Sequence, residues 1–70
     1  MDIRQYTRLI VKRGDKYLVG KILYGNEYRW SKSEYDAWST RDREEAEVVA
    51  RRLGGDLLLF NPVAGQLKEL

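Results

Sequence analysis

The sequence predicts an α+β domain in which an antiparallel three- to four-stranded sheet carries one helix packed on one face, in ββ(β)αβ order. Three observations predict this class. A glycine-bearing turn at Gly14-Asp15 separates two strand-like segments, an apolar stripe of helical spacing ends at Gly54-Gly55, and the apolar run DLLLF (56–60) follows. A chain of 70 residues suits one such domain, spanning residues 1–70.

The first two strands form a predicted hairpin, because a two-residue loop with glycine first is typical of a tight hairpin turn. The loop sets these residues opposite each other: Arg13 and Lys16, Val11 and Leu18, Leu9 and Gly20, Thr7 and Ile22. One face is almost purely apolar and is predicted to meet the helix: Thr7, Leu9, Val11, Leu18, Gly20, Ile22 and Tyr24. The other face mixes cations, tyrosines and aliphatic residues: Tyr6, Arg8, Ile10, Lys12, Tyr17, Val19, Lys21 and Leu23. So small a domain has little chain left to cover this second face.

A third strand is predicted around residues 28–31, after a turn at Gly25-Asn26. The direction of Trp30 depends on the loop length, because a slip of one residue exchanges the two faces of a strand. A three-residue loop (25–27) puts Tyr28 and Trp30 in the core and Arg29 outside, whereas a two-residue loop does the reverse. Burying a lone arginine is costly, so we expect Trp30 in the core.

The helix is predicted over Arg41–Leu53, with Thr40 as its N-cap. Its apolar stripe comprises residues at helical spacing, namely Ala46, Val49, Ala50 and Leu53. Gly54 follows as a left-handed C-terminal cap. Just before the helix, Trp38 is expected to anchor an irregular loop in the core.

The run Asp56 to Phe60 is apolar enough to predict a strand buried on both sides, which Asn61-Pro62 ends. The tail, residues 63–70, is expected to add a turn or to fray.

Composition excludes several kinds of chemistry. The sequence has no histidine and no cysteine, which removes the usual general base and the commonest metal ligands. We therefore expect no enzyme, no catalytic residues, no metal and no cofactor. The sequence shows no long apolar stretch, so no membrane association and a cytoplasmic location are expected.

Charge is unevenly placed along the chain. Residues 1–33 carry eight bases and three acids, whereas residues 34–70 carry five bases and eight acids. A candidate partner surface combines bases and tyrosines of the mixed sheet face with one loop aromatic: Tyr6, Arg8, Lys12, Tyr17, Lys21, Arg29 and Tyr35. Such a face can neutralise phosphates and stack bases. Tyrosine is also a favoured strand residue and lysine a normal edge residue, so the same pattern fits an ordinary sheet. Tyr35 is expected to be exposed as a contact residue, or else to cover one edge of the core.

Residues 36–62 resemble small uncharacterised proteins of phages and prophages of Gram-positive bacteria. The resemblance rests on these elements: Asp36-Ala37-Trp38, Thr40 with Asp42, Ala46, Val49-Ala50, Gly54-Gly55 and Phe60-Asn61-Pro62. It implies a shared fold and a phage-type setting, but no activity. The chain is also loosely similar to three-strand-plus-helix DNA-binding domains of integrase type, which lack the last strand.

Three functions follow as hypotheses. The first is a non-enzymatic protein-interaction module with a protein partner. The alternative is a nucleic-acid binder that uses the basic, tyrosine-bearing sheet face. The third is a homodimer formed through that same face.

Overall fold

A computed structural model describes residues 6–21 and 27–69 of the chain, without the side chain of Lys21. The described elements are β1 (Arg8–Arg13), β2 (Lys16–Lys21), β3 (Tyr28–Ser31), a 3-10 turn (Glu34–Asp36), β4 (Ser39–Thr40), α1 (Arg43–Leu53), β5 (Asp56–Asn61) and β6 (Gln66–Glu69). The described strands form one antiparallel sheet in the order β3-β2-β1-β5-β6, with β4 also paired to β1. The predicted α+β class with one helix is confirmed, and the sheet has more strands than the three or four expected.

The β1–β2 hairpin has the predicted turn, but its two strands separate closer to that turn than predicted. Arg13 pairs with Lys16 as expected. Further along β1, however, Leu9 pairs with Thr40 of β4, and Trp38 donates its backbone N–H to the Leu18 carbonyl at 2.7 Å. The predicted pairing of Leu9 with Gly20 is therefore wrong, because β4 enters between the diverging strands. Its continuation to residues 22–24 lies outside the described residues.

Trp30 lies on the helix side of the sheet as predicted, although its strand partner differs. A three-residue loop would set Tyr28 opposite Tyr24 and Trp30 opposite Ile22. Instead Tyr28 pairs with Lys21 and Trp30 with Leu18, with a bulge between Leu18 and Gly20. At Trp30 the slip from Ile22 to Leu18 is an even number of residues, which keeps the side chain on the same face. Arg29 is exposed, as expected.

Helix α1 has the predicted apolar stripe and C-terminus, but a different N-cap. Asp42, not Thr40, accepts hydrogen bonds from the N–H groups of Glu44 (3.0 Å) and Glu45 (3.3 Å). Thr40 is held in β4, and its hydroxyl accepts from the Asp42 N–H at 3.1 Å. The sequence contains two residues that suit a cap, and strand pairing removes the first of them from the helix.

Asp42→Ala is expected to lower the free energy of unfolding by about 1 kcal/mol, because two N–H groups of the first helical turn lose their acceptor. Asp42→Asn is the matched control, since its amide oxygen can accept the same bonds. Urea unfolding followed by circular dichroism measures both. Equal losses in the two variants would show that Asp42 does not cap the helix.

The C-terminal end of α1 follows the predicted glycine cap. Gly54 adopts φ 66°, in the left-handed region, and Gly55 donates its N–H to the Ala50 carbonyl at 2.9 Å. The chain thereby leaves the helix directly into β5, which lies between β1 and β6.

The tail was expected to add a turn or to fray. Residues 62–65 do form a turn, whereas residues 66–69 form a strand that was not predicted. Gln66–Glu69 forms β6 and pairs with β5 from Asn61↔Gln66 to Leu58↔Glu69. Strand β5 ends at Asn61, as the Asn61-Pro62 signal predicted, and the Asn61 side chain also holds the turn that follows. Its side-chain oxygen accepts from the N–H groups of Val63 (3.0 Å) and Ala64 (3.1 Å), and the residue is only 5% exposed.

The sheet carries an apolar cluster on each face. The helix-side core comprises Val11, Leu18 and Ala50, with Tyr28, Trp30, Trp38, Val49, Leu53 and Leu57 packed against it. The outer core, on the opposite face, comprises Ile10, Tyr17, Leu58 and Phe60, with Ala37 packed against it. The expectation that the second face would stay uncovered is therefore wrong. Among the described residues, no helix has the length and apolar character needed to cross a membrane.

Candidate interaction surface

The outer face of the sheet can be built row by row from the strand register, because directly paired residues point to the same face. One row across the sheet is Arg8–Phe60–Leu67, and the next is Ile10–Leu58–Glu69. Further toward the Gly14 turn, Lys12 pairs with Asp56 on one side and with Tyr17 on the other. The outer face thus has an apolar centre with charged residues distributed around it.

A polar loop delivers Tyr35 to this face. The Ser33 hydroxyl accepts from the Tyr35 N–H at 3.3 Å and so caps the 3-10 turn. The Ser31 hydroxyl donates to Asp36 at 3.0 Å and accepts from the Ser33 N–H at 3.1 Å. These bonds fix a loop that has few apolar residues of its own, and thereby fix the position of Tyr35.

Tyr35 is both exposed and docked. Its ring meets Phe60 edge to face, with ring centroids 5.2 Å apart and an interplanar angle of 84°, a favourable aromatic geometry. The residue is nevertheless 62% exposed. Of the two roles considered for Tyr35, contact residue and cover over the core, the structure gives it the geometry for both.

The surroundings of Tyr35 extend its apolar surface. Leu67, which pairs with Phe60, is 40% exposed. A Cβ built on Gly65 would lie 3.6 Å from the Tyr35 hydroxyl, which places the β5–β6 turn beside the ring. We call Tyr35, Phe60, Gly65 and Leu67 the Tyr35 patch. Gly65 and Leu67 were absent from the predicted partner surface, because the tail was not expected to form a strand.

The tyrosines of the predicted partner surface differ in accessibility. Tyr17 belongs to the outer core and is only 7% exposed, so its expected availability for stacking is wrong. Tyr6 is partly buried, and Tyr35 is exposed. The polar loop that carries Tyr35 and Ala37 lies over a face that the strand pattern alone would leave open.

The cations of the predicted partner surface differ in their exposure and in the groups that lie beside them. The Lys12 ammonium lies 5.7 Å from the centroid of the Tyr17 ring, and Lys12 pairs with Asp56. Arg8 is partly buried, and no described residue hydrogen-bonds its buried Nη1. Arg29 is exposed on β3, whereas the side chain of Lys21 lies outside the described part of the chain. Among the described cations of that surface, Lys12 therefore has an acidic neighbour in the sheet and Arg8 is only partly accessible.

Arg13, a cation outside the predicted partner surface, contacts other elements of the domain. Its guanidinium carbon lies 4.3 Å from the centroid of the Trp30 ring. Its Nη1 donates to the Leu53 carbonyl at 3.3 Å, where a positive charge is favoured by the helix dipole. Arg13 thus joins β1, β3 and the end of α1.

Comparison with other proteins does not assign the chain to a family. No protein-family model, curated protein or solved structure matches it. Among residues 6–21 and 27–69, no group of three or more acidic side chains comes together in a way that could hold a metal ion. The Tyr35 patch brings together two of the exposed large apolar residues in the described part of the chain, Tyr35 and Leu67.

Proposed function

We propose that this chain is a non-enzymatic module that binds another protein through the Tyr35 patch. The single observation that carries the proposal is that Tyr35 is 62% exposed while its ring stays docked on Phe60. A tyrosine fixed in this way offers a large contact area and loses little conformational entropy on binding. Tyrosines are among the residues that dominate binding energies at protein interfaces.

The edge of the patch suits a protein partner. Leu67 adds apolar area in the same row as Phe60, and Glu69 and Arg8 provide polar and charged groups on the same face. An apolar centre with a polar rim is the usual composition of a protein–protein interface. The absence of histidine and cysteine from the sequence supports a binding role rather than a catalytic one.

A protein partner is favoured over nucleic acid by the charge arrangement. Asp56 beside Lys12 opposes phosphate binding at that position, and the burial of Tyr17 removes one of the expected stacking rings. The resemblance of residues 36–62 to phage and prophage proteins supports a phage-type setting. We therefore expect the partner in an extract of a Gram-positive bacterium or of its phage-infected cells.

Tyr35→Ser is expected to weaken partner capture by about 30-fold or more, the loss of roughly 2 kcal/mol that marks an interface hot spot. Immobilised wild-type and variant chains are compared for recovery of the partner from extract. Val48→Ser is the matched control, because Val48 is an exposed apolar residue, 47% accessible, on the helix. It should capture as wild type does.

Each arm of the capture experiment has a defined meaning. Nuclease treatment of the extract should leave capture of the partner unchanged. Loss of capture after nuclease treatment would indicate nucleic-acid binding instead. Equal capture by the wild type and Tyr35→Ser would rule out the Tyr35 patch as the binding surface. Thermal unfolding of the two serine variants verifies that both remain folded during capture.

A further inference from the structure

Strand β6 leaves one edge of the sheet open among the described residues. It is the last strand in the order β3-β2-β1-β5-β6 and pairs with β5 along one side. All four of its residues, Gln66 to Glu69, are exposed. An edge strand presents a row of backbone N–H and C=O groups, which is a template for pairing with another strand.

We propose that a second copy of this chain pairs with β6 edge to edge, antiparallel and centred on Leu67. The inference goes beyond the proposed function, because it concerns pairing along the backbone edge of β6, although it places Leu67 of the Tyr35 patch at the axis between the copies. It also differs from a homodimer formed face to face across the sheet, since the two sheets would join side by side.

Register and charge select Leu67 as the centre. In such a dimer the two sheets are continuous and a two-fold axis runs perpendicular to them. Directly opposite residues of the two β6 strands then point to the same face. The axis must therefore pass beside one residue that lies opposite its own counterpart. Centring on Lys68 sets two lysines opposite each other, and centring on Glu69 sets two glutamates opposite each other. Like charges directly opposite are destabilising. Centring on Gln66 sets each Leu67 opposite Gly65 and so leaves the leucines without apolar partners.

Centring on Leu67 joins complementary residues. The two Leu67 side chains face each other on the outer face, and each Lys68 lies opposite Gln66 of the second copy. Leu67 lies in the same row as Phe60, on which Tyr35 packs. The Tyr35 patches of the two copies therefore meet across the axis, which buries apolar area that a single copy exposes.

Cysteine cross-linking tests this register directly, because the sequence has no native cysteine to interfere. Opposite residues of an antiparallel pair have Cα atoms about 4.5–5.5 Å apart, which is within the range of a disulfide. Leu67→Cys is therefore expected to form a covalent dimer under mild oxidation. In Lys68→Cys the two substituted positions would be offset by two residues along the strands, with Cα atoms about 8 Å apart, too far to join.

Two control variants make the cross-linking result decisive. Lys68→Cys tests the register, and Val48→Cys, on the exposed face of the helix, measures random collision. Leu67→Cys should cross-link at least about tenfold faster than either, since paired strands raise the local thiol concentration. Equal rates for Leu67→Cys and Val48→Cys would overturn the proposal, and faster linking of Lys68→Cys would overturn its register.

A second measurement needs no cysteine. Sedimentation equilibrium of the wild-type chain is expected to show a mass that rises toward twice that of one chain with concentration. Leu67→Lys places two lysines opposite each other and should abolish that rise, whereas Val48→Lys should retain it. A wild-type chain that stays monomeric up to millimolar concentration would overturn the proposal.

Discussion

Phe60→Ala is expected to lower the free energy of unfolding by about 3–5 kcal/mol, the usual cost of truncating a buried phenylalanine. Phe60 is only 5% exposed and packs with Ile10, Tyr17 and Leu58 in the outer core. Domains of this class have roughly 5–15 kcal/mol of stability in total, and small ones lie near the lower end. The variant should therefore be partly or wholly unfolded at room temperature.

Phe60→Leu is the matched control for this prediction. Leucine retains most of the apolar volume, and conservative exchanges of this kind usually cost less than about 1.5 kcal/mol. Urea unfolding followed by tryptophan fluorescence compares the two variants with the wild type. If alanine and leucine proved equally tolerated, Phe60 would not be packed in a core on this face. Such a result would also argue against the packing of the Tyr35 ring on Phe60.

Local patterns predicted the helix well, because its signals lie within a few residues of one another. The apolar stripe places Ala46 and Ala50 against the sheet, and Gly54 ends the helix in the left-handed conformation. The N-cap was predicted less well. Thr40 and Asp42 both suit a cap, and the choice between them depends on the pairing of Thr40 with Leu9, a contact between distant parts of the chain.

The strand pairings show a similar limit. The turn at Gly14-Asp15 set the local register of the first hairpin correctly. Its early opening depends on Trp38, whose backbone N–H bonds to Leu18 from a position twenty residues later in the chain. Pairing over such separations is decided by tertiary packing, which a pattern of alternating residues does not contain.

The candidate site was predicted in part. Alternation along β1 correctly placed Arg8 and Lys12 on one face, and Tyr35 is exposed as expected. Leu67 was missed because β6 is short and its sequence QLKE has one apolar residue, so it lacks the repeated alternation of apolar and polar residues that predicts a strand. Its position depends on Asn61, whose side chain holds the turn that returns the chain to the sheet.

Gly55→Val is expected to lower the free energy of unfolding by about 3 kcal/mol, the upper part of the usual range for overpacking. A Cβ on Gly55 would lie 2.8 Å from Cγ1 of Val11 and 3.0 Å from the Lys12 carbonyl oxygen. Val11 is fully buried in the helix-side core, and the Lys12 carbonyl belongs to the β1 backbone. Neither atom can move aside without disturbing the packing between α1 and β1.

The neighbouring glycine provides a control with a different physical cause. A Cβ on Gly54 would meet open space, but its φ of 66° is strained for a residue with a side chain. Gly54→Ala should therefore cost about 1 kcal/mol. Asparagine tolerates the left-handed conformation, so Gly54→Asn should cost less than Gly54→Ala. At position 55 the order should reverse, because asparagine is larger than alanine and the obstacle there is space. Urea unfolding of the alanine and asparagine variants at positions 54 and 55 measures this reversal of order. The same order at both positions would show that Gly55 is not packed closely against β1.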